Sequence, residues 1–378
     1  MLEGMQIPQW PIADEREREL IEEVLGSRQW GGYHEMVGRF EQQFARFQHC
    51  SYGVSAVNGS LTLEMLLSSL GIGPGDEVIV PAISFVATAT AVSRVGAIPV
   101  FVDIEPYTFN MDPERAEGAI SPRTKAILAV HFGGPPADMD RLEAIASARG
   151  LILLEDAAHA QGSEWRGRRA GSLGLASSFS FQNGKVMTAG EGGIVLTSDE
   201  SLAAAMRSFG NCGRRPGATF FHHFILATNL RLTGLQAAVL VAQLERLPSQ
   251  IATRARNAAR LMKELEDVEG IHWQDIDPRV TANSWYLLLG RIDERKFGMS
   301  RDEFHSMLQG AGVPCTPFYP HTLYENPVYR DTPCRVEPCP NAEASIRDAF
   351  WLPHYLLMGE EGLMHEVAGI IRRAIVRR

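Results

Sequence analysis

The sequence of 378 residues lacks several features that define other classes of protein. It has only 5 cysteines, and their odd number and scattered positions are typical of reduced thiols rather than of a disulfide framework. No uninterrupted apolar run is long enough to span a bilayer, and the N-terminal residues lack the basic-then-apolar pattern of a signal peptide. We therefore expect a soluble cytoplasmic protein that does not use a membrane.

An excess of basic charge is also missing, because 45 acidic residues outnumber 36 lysines and arginines. This balance disfavours binding to nucleic acid. Cys334 and Cys339 have no second Cys or His pair at zinc-like spacing, so no metal site is predicted. No Gly-x-Gly-x-x-Gly lies between a strand and a helix, which argues against a nicotinamide oxidoreductase.

The pattern that is present is an alternation of helical segments and short apolar runs, which predicts an α/β fold with a mainly parallel sheet. The apolar runs have too little polar alternation to face water, so they are predicted to be central strands, at residues 77–80, 99–102, 126–130, 151–154, 178–181 and 193–196. Residues 234–267 predict one or two long helices. We expect a large domain over residues 1–250 and a smaller α+β domain over 251–378.

Lys185 stands in an apolar, glycine-flanked stretch, Ser178-Phe-Ser-Phe-Gln-Asn-Gly-Lys185, followed by Gly190-Glu-Gly-Gly193. Apolar neighbours such as Phe179, Phe181 and Val186 favour a neutral amine, which can form a Schiff base with an aldehyde. A lysine that snorkels from the end of a strand is the alternative. The surrounding glycines favour the first interpretation, because they permit close approach of the backbone to a ligand.

Asp156 follows the apolar strand 151–154, at the strand end where open α/β sheets bind ligands. A carboxylate buried there needs a cation, and the ring nitrogen of pyridoxal phosphate is one. The alternative is that Asp156 caps a helix. His159, three residues further on, either orients Asp156, touches the cofactor ring, or is a structural histidine. A carboxylate, an imidazole and the Lys185 amine at one sheet edge together suit pyridoxal phosphate.

A phosphate anchor is offered by Asn58-Gly59-Ser60, which precedes a helical stretch whose N-terminus would favour an anion. Gly-Ser before a helix is common, so this signal is weak alone. Phe85, just after a strand, can stack on a flat cofactor or can be a core residue.

Taken together, these residues resemble the DegT/DnrJ/EryC1/StrS family of pyridoxal-phosphate sugar aminotransferases of fold type I. The resemblance extends over nearly the whole chain, with motifs in family order that include Trp30-Gly-Gly, Asn58-Gly59-Ser60, Gly73-Pro-Gly-Asp-Glu-Val-Ile-Val-Pro81, Glu155-Asp-Ala-Ala-His-Ala160, Gly190-Glu-Gly-Gly193 and Asn229-x-Arg231. It implies a sheet of the seven-stranded type in the large domain.

The resemblance also implies roles for individual residues. Lys185 would be the Schiff-base lysine, Asp156 would pair with the pyridine nitrogen, and Phe85 and His159 would flank the ring. The phosphate would be held by Gly59, Ser60 and Ser180, and by Asn229 from the neighbouring subunit of a homodimer with shared active sites.

The expected activity is transfer of an amino group from glutamate or glutamine to a keto-sugar or keto-cyclitol. The stretch 179–193 is especially similar to 3-amino-5-hydroxybenzoate synthases, so a dehydrating, aromatising activity is the first alternative, although Ser60 is followed by Leu61 where those synthases have His. A non-catalytic pyridoxal-phosphate regulator is the second. The acceptor cannot be read from the motifs, but the loops at 30–34, 211–228 and 315–330 are expected to select it.

Overall fold

In the computed structural model, which describes residues 6–376, strands and helices alternate through the first 200 residues. The helices are α1 (Glu15–Ser27), α2 (Glu35–Phe47), α3 (Gly59–Ser69), α4 (Ala87–Arg94), α5 (Pro113–Gly118), α6 (Met139–Arg149), α7 (Glu200–Gly210), α8 (Gly234–Glu264), α9 (Glu294–Phe297), α10 (Arg301–Gly310), α11 (Pro340–Asp348) and α12 (Glu361–Val376). The strands are β1 (Tyr52–Ala56), β2 (Glu77–Pro81), β3 (Ile98–Val102), β4 (Thr124–Val130), β5 (Ile152–Asp156), β6 (Glu164–Trp165), β7 (Arg168–Arg169), β8 (Ala176–Ser180), β9 (Gly193–Thr197), β10 (Ile271–Trp273), β11 (Val280–Ala282), β12 (Leu287–Ile292), β13 (Thr316–Pro317), β14 (Arg335–Val336) and β15 (Ala349–Pro353).

The largest sheet has 8 strands in the order β1-β9-β8-β5-β4-β2-β3-β14. Only β9 runs against its neighbours, and all the other pairs are parallel. Every residue of β2, β8 and β9 is buried, as expected for strands covered by helices on both faces. The six predicted strands are confirmed. Two strands of this sheet, β1 and the short β14, were not predicted. With them the sheet has one strand more than the predicted seven.

A second sheet of 4 strands, β10-β12-β15-β13, is antiparallel and packs with α10 and α12 around its own apolar core. The apolar pattern of residues 284–290 predicts a strand, and the observed strand β12 begins at Leu287. The predicted domain boundary at residue 250 lies inside α8, and β14, from beyond that boundary, joins the large sheet. The division into residues 1–250 and 251–378 stays a prediction.

The long helix α8 connects the two sheets. Thr233 caps it, with its side chain accepting from the Gln236 backbone N–H, and Pro248 lies within the helix without ending it. The spacing of Leu240, Leu244 and Leu247 places them on one face of this helix, and all three are buried. None of the helices within residues 6–376 is both long and apolar enough to cross a membrane.

A cluster of phenylalanines fixes α2 against the large sheet. Phe44 is fully buried, and its ring lies 5.1 Å from Phe179, 5.3 Å from Phe181 and 5.7 Å from Phe40 between ring centroids. The contacts with Phe179 and Phe181 are edge-to-face, an arrangement that aromatic pairs favour. Since Phe179 and Phe181 come just before the Lys185 loop, this cluster supports the floor of the candidate site.

Replacing Phe44 with Ala should lower the free energy of unfolding by ~3–5 kcal/mol, because it removes a large buried side chain and leaves a cavity. Denaturant titration followed by circular dichroism measures this change. Leu25→Ala, which shortens a side chain that is 43% exposed, is the control and should cost far less. An equal loss in both variants would contradict the assignment of Phe44 to the core.

Candidate active site

The candidate site lies at one edge of the large sheet. The parallel strands β1, β2, β4, β5 and β8 all end there, and the antiparallel β9 begins there. A cavity of about 510 Å³ opens at this edge. Because strand ends in parallel sheets bring distant segments together, residues from 58 to 319 meet in this single cavity.

The N-terminus of α3 forms one wall of the cavity. The Asn58 side chain caps the helix by accepting from the Leu61 backbone N–H at 2.9 Å. The first backbone N–H groups of a helix have no partner within the helix, so those of Gly59 and Ser60 are available to a ligand. Together with the helix dipole and the Ser60 hydroxyl, they form a site suited to a phosphate.

Two glycines allow the sheet to approach this helix end. A Cβ atom added to Gly59 would lie 2.7 Å from the Ser180 Cβ, and one added to Gly193 would lie 2.6 Å from the Asn58 carbonyl carbon. Both distances are shorter than real Cβ contacts. Glycine at these positions therefore lets the Ser180 hydroxyl lie beside the first turn of α3, as the predicted phosphate cradle requires.

Asp156 ends β5 and is 6% exposed. Its Oδ2 accepts from the Thr88 hydroxyl at 2.7 Å, and its Oδ1 accepts from the Ala158 backbone N–H at 3.2 Å. Burial raises the pKa of Asp156 above its usual range, although these hydrogen bonds and the charge of Lys185 act in the opposite direction. No helix follows, because residues 157–163 form turns, so the helix-cap interpretation of Asp156 is wrong.

Lys185 lies in the loop between β8 and β9 and lines the same cavity as Asp156. Its Nζ is 4.5 Å from the centroid of the Tyr286 ring. The apolar residues that the sequence analysis placed around the amine, Phe179, Phe181 and Val186, are instead fully buried in the core beneath the loop. The aromatic contact of the amine thus comes from Tyr286, more than 100 residues away in the chain.

The backbone before Lys185 is held from both sides. The His354 Nε2 is 3.0 Å from the Gly184 carbonyl oxygen, and the Trp10 indole N–H donates to the Asn183 carbonyl at 3.0 Å. The Trp10 and His354 rings meet edge to face at 4.4 Å. Burial lowers the pKa of His354 to about 3, so this imidazole is neutral near pH 7.

His159 also lines the cavity, but it does not orient Asp156. Its Nδ1 accepts from the Gly133 backbone N–H at 3.3 Å, which places the ring proton on Nε2. Burial lowers the pKa of His159 well below its usual value, so the ring is uncharged. It lies 4.2 Å from the Tyr286 ring at an angle of 32°, which makes it part of an aromatic wall.

The position of Tyr286 depends on the segment just before it. The Ser284 hydroxyl donates to the His159 carbonyl at 2.5 Å, and the Ser284 carbonyl accepts from the Arg254 Nε at 2.7 Å. Arg254 is fully buried, and this burial lowers its pKa to about 9. A side chain of α8 thereby fixes the start of the strand that carries Tyr286 into the cavity.

Phe85 and Asn229 occupy different surroundings. Phe85 is 58% exposed and lines the cavity, a place where its ring is available to a ligand. Asn229 is exposed and does not line the cavity; its Oδ1 accepts from the Arg231 backbone N–H at 3.2 Å. The cavity therefore brings together all the predicted residues except Asn229, namely Gly59, Ser60, Phe85, Asp156, His159, Ser180 and Lys185.

The sequence patterns did not reveal the part that four residues play in the site: Thr88, Tyr286, Tyr319 and His354. Tyr319 belongs to the loop 315–330 that was expected to select the acceptor, yet it lines the cavity, and burial raises the pKa of its phenol. Thr88 lies inside a helix, and tyrosines in apolar segments look like core residues. Only their spatial neighbours reveal them.

These features fit pyridoxal phosphate. The helix N-terminus beside Ser180 has the donors for a phosphate, the buried Asp156 needs a cation such as a protonated ring nitrogen, and Lys185 supplies an amine in the same cavity. The fit rests on a steric observation, since a side chain on Gly59 would fill the cradle.

Comparison with known proteins agrees with this fit. The model of the DegT/DnrJ/EryC1/StrS aminotransferase family matches residues 11–372. The 3-amino-5-hydroxybenzoate synthase of Amycolatopsis mediterranei is 37% identical over 98% of each chain. The L-glutamine:2-deoxy-scyllo-inosose aminotransferase of Streptoalloteichus tenebrarius is 34% identical, over 97% of this chain and 94% of its own. A crystal structure of 3-amino-5-hydroxybenzoic acid synthase has a TM-score of 0.93 and 36% identity over 100% of both chains.

The fold and the site define a pyridoxal-phosphate-dependent transferase. The chain belongs to the DegT/DnrJ/EryC1/StrS aminotransferase family, and pyridoxal 5′-phosphate is its cofactor. The family, the fold class and the cofactor predicted from the sequence are thus confirmed.

Replacing Gly59 with Ala should weaken cofactor binding about tenfold or more, because the new methyl group separates α3 from Ser180 and breaks charge-assisted hydrogen bonds to the phosphate. Titration of the apoprotein with pyridoxal phosphate, followed by visible absorbance, gives the Kd. Gly38→Ala is the matched control, since a Cβ at Gly38 meets nothing within 4 Å. Unchanged affinity in Gly59→Ala would place the phosphate elsewhere.

Proposed function

We propose that this protein transfers an amino group from glutamine or glutamate to a keto group on a sugar or cyclitol. The observation that carries the proposal is the convergence of Lys185, Asp156 and the α3 phosphate cradle in one cavity. Membership of an aminotransferase family supports the reaction type. The name of the scyllo-inosose aminotransferase, a glutamine-dependent relative, supports the classes of donor and acceptor.

When bound, pyridoxal phosphate supplies an aldehyde that carries the amino group and a ring that withdraws electrons from the substrate carbon. Asp156 would pair with the protonated ring nitrogen, whose positive charge would favour the ionised form of this buried carboxyl. Lys185 Nζ would carry the proton that leaves the donor carbon bearing nitrogen to the cofactor, and in the second half of the transfer it would carry a proton from the cofactor to the acceptor carbon. Both residues line the cavity, so no large rearrangement is needed to bring them to one ligand.

The aromatic residues confine the reacting groups. Because burial lowers the pKa of His159, its uncharged ring would flank the cofactor without adding a positive charge beside Lys185. Tyr286 covers both His159 and the Lys185 amine, with centroid distances of 4.2 and 4.5 Å. This cover excludes water from one side of the amine, which favours proton transfer between Lys185 and the substrate.

A second candidate is the dehydrating reaction of a 3-amino-5-hydroxybenzoate synthase. The full-length similarity in sequence and fold to such a synthase favours it. In that reaction Lys185 would remove a proton before elimination of water, from a substrate that already carries its amino group. The same cavity residues serve both reactions, so the distinction rests on the products.

Replacing Lys185 with Ala should reduce turnover by at least about 10³-fold, because the variant loses both the covalent partner of the aldehyde and the proton carrier. The assay combines the holoenzyme, glutamine or glutamate, and a panel of keto-sugars and keto-cyclitols, with one 2-oxo acid expected per amine formed. Lys125→Ala, which alters an exposed lysine of β4, is the control. Borohydride reduction and mass spectrometry should find the cofactor on residue 185 in the wild type.

Normal transamination by Lys185→Ala would overturn the assignment of this residue. Aromatic absorbance from aminodehydroshikimate without any 2-oxo acid would instead establish the dehydrating reaction. Cofactor binding without turnover on the whole panel would favour a regulatory protein.

We infer that two copies of the chain share their active sites in a homodimer. Asn229, which matches the borrowed phosphate contact of the family, does not line the cavity of its own chain. The loop beside it, residues 212–228, exposes the apolar side chains Phe220, Phe221, Phe224, Ile225 and Leu226, and a second copy would bury them. Cytoplasmic location, expected from the sequence, remains a prediction.

Co-expression of Lys185→Ala with Asn229→Ala should restore activity that neither variant has alone. In a mixed dimer, one site combines the intact Lys185 of one chain with the intact Asn229 of the other. Since one of the two sites of the mixed dimer is intact, it should have about half of the wild-type activity. Steady-state assay of the tagged, purified mixed dimer measures it. Absence of restoration in a confirmed mixed dimer would show that Asn229 does not act across the interface.

A further inference from the structure

The Lys185 loop, residues 181–192, has no helix or strand of its own. It connects β8 with β9 and contains glycines at positions 184, 190 and 192. Because a glycine has no Cβ, its backbone dihedral angles are weakly restricted, and Gly184 is joined directly to Lys185. The direction of the Lys185 side chain therefore depends on contacts that hold this stretch of backbone in place.

Contacts inside the loop define a tight turn. The Lys185 backbone N–H donates to the Gln182 carbonyl at 2.9 Å, and the Gly184 N–H donates to the Gln182 Oε1 at 2.7 Å. Both bonds use N–H groups of the turn, so the carbonyl groups of Asn183 and Gly184 are left for other segments to hold. The Gly184 carbonyl matters most, because it belongs to the planar peptide unit that includes the Lys185 nitrogen.

Two side chains from distant segments hold these carbonyl groups. His354, 170 residues away, has its Nε2 3.0 Å from the Gly184 oxygen. Trp10, 173 residues away, donates its indole N–H to the Asn183 oxygen at 3.0 Å. A carbonyl oxygen only accepts, so His354 carries its proton on Nε2 and is the donor. The two rings meet edge to face with 4.4 Å between their centroids, so each donor supports the other.

His354 also reaches the other end of the Lys185 side chain. Its ring stacks on that of Tyr286, with 5.9 Å between the centroids and 25° between the planes. The Lys185 Nζ lies 4.5 Å from the centroid of the same Tyr286 ring. One imidazole thus contacts both the backbone where this side chain starts and the ring beside which its amine lies.

The state of the imidazole restricts what it can do. His354 is 2% exposed, and burial together with the charge of Arg254 lowers its pKa to about 3. It is therefore neutral near pH 7 and cannot exchange a proton with a substrate there. It also does not line the cavity, so a bound ligand does not touch it. His354 instead provides a hydrogen bond from a neutral donor, which adds no charge beside Lys185.

We propose that His354 is a positioning residue for Lys185, which holds the Gly184 carbonyl and the Tyr286 ring so that the amine faces the aldehyde of the bound cofactor. This inference rests on the role of Lys185 in the proposed function and deepens it. In the linkage, Nζ and the aldehyde carbon form a C=N bond and release one water. A displacement of about 1 Å between reacting groups can cost about 10²-fold in rate, so the hold on this peptide unit bears directly on that step.

His354→Leu and His354→Gln test this role. Leucine has a similar volume but no donor, whereas the glutamine amide nitrogen lies as many bonds from Cα as the histidine Nε2. Apoprotein is mixed with saturating pyridoxal phosphate, and the linkage is followed by visible absorbance and located by borohydride reduction and mass spectrometry. His354→Leu should form the linkage at residue 185 about tenfold or more slowly than wild type, and His354→Gln should recover the rate to within about threefold.

Pyridoxamine phosphate separates positioning from general damage to the site, because it carries an amine in place of the aldehyde and cannot link to Lys185. Its binding uses the α3 phosphate cradle and Asp156, so its Kd should stay within about twofold of wild type in His354→Leu. Trp165→Phe is the matched control. It removes a buried indole N–H that donates to Asp140 at 2.8 Å on β6, outside the cavity, and should leave the linkage rate unchanged.

Equal linkage rates in wild type and His354→Leu overturn the inference. So does a parallel loss of pyridoxamine phosphate binding, which would make His354 a general support of the fold, and so does failure of glutamine to restore the rate. Absence of linkage at residue 185 in the wild type refutes the role of Lys185 and this inference with it. Normal linkage without transamination refutes the proposed function alone.

Discussion

The site depends on the burial of one carboxylate at the end of a parallel strand. Asp156 lies in the middle of the large sheet, where its ionised form is costly, and hydrogen bonds from Thr88 and the Ala158 N–H compensate in part for lost water. A cationic heterocycle opposite this carboxylate would remove the penalty, so binding of the cofactor would stabilise the folded protein while Asp156 would favour the protonated ring nitrogen.

Tyr286 and Arg254 complete the candidate site, which the residues of the large sheet cannot form alone. The large sheet supplies Asp156, Lys185 and the phosphate cradle, but the face of the Lys185 amine would be open to water. Tyr286 covers it, and the buried Arg254 fixes the segment before Tyr286 through the Ser284 carbonyl. Because α8 carries Arg254 and links the two sheets, the placement of the second sheet bears directly on the environment of the amine.

The cofactor end of the site was readable from the sequence because its residues follow buried strands, which apolar runs identify reliably. Lys185 and Asp156 belong to this group. Thr88 and Tyr286 were missed because Thr88 lies within a helix and Tyr286 lies just before β12, in an apolar segment typical of the core. Their roles come from contacts 68 residues away for Thr88 and across the two sheets for Tyr286, which no local pattern encodes.

The chemistry and the selectivity of this enzyme reside in different parts of the structure. Residues at the strand ends are held in place by burial and by the close packing at Gly59. The same residues can therefore serve any reaction that begins with removal of a proton from a carbon that bears nitrogen. The acceptor must instead be selected by side chains that contact its far end.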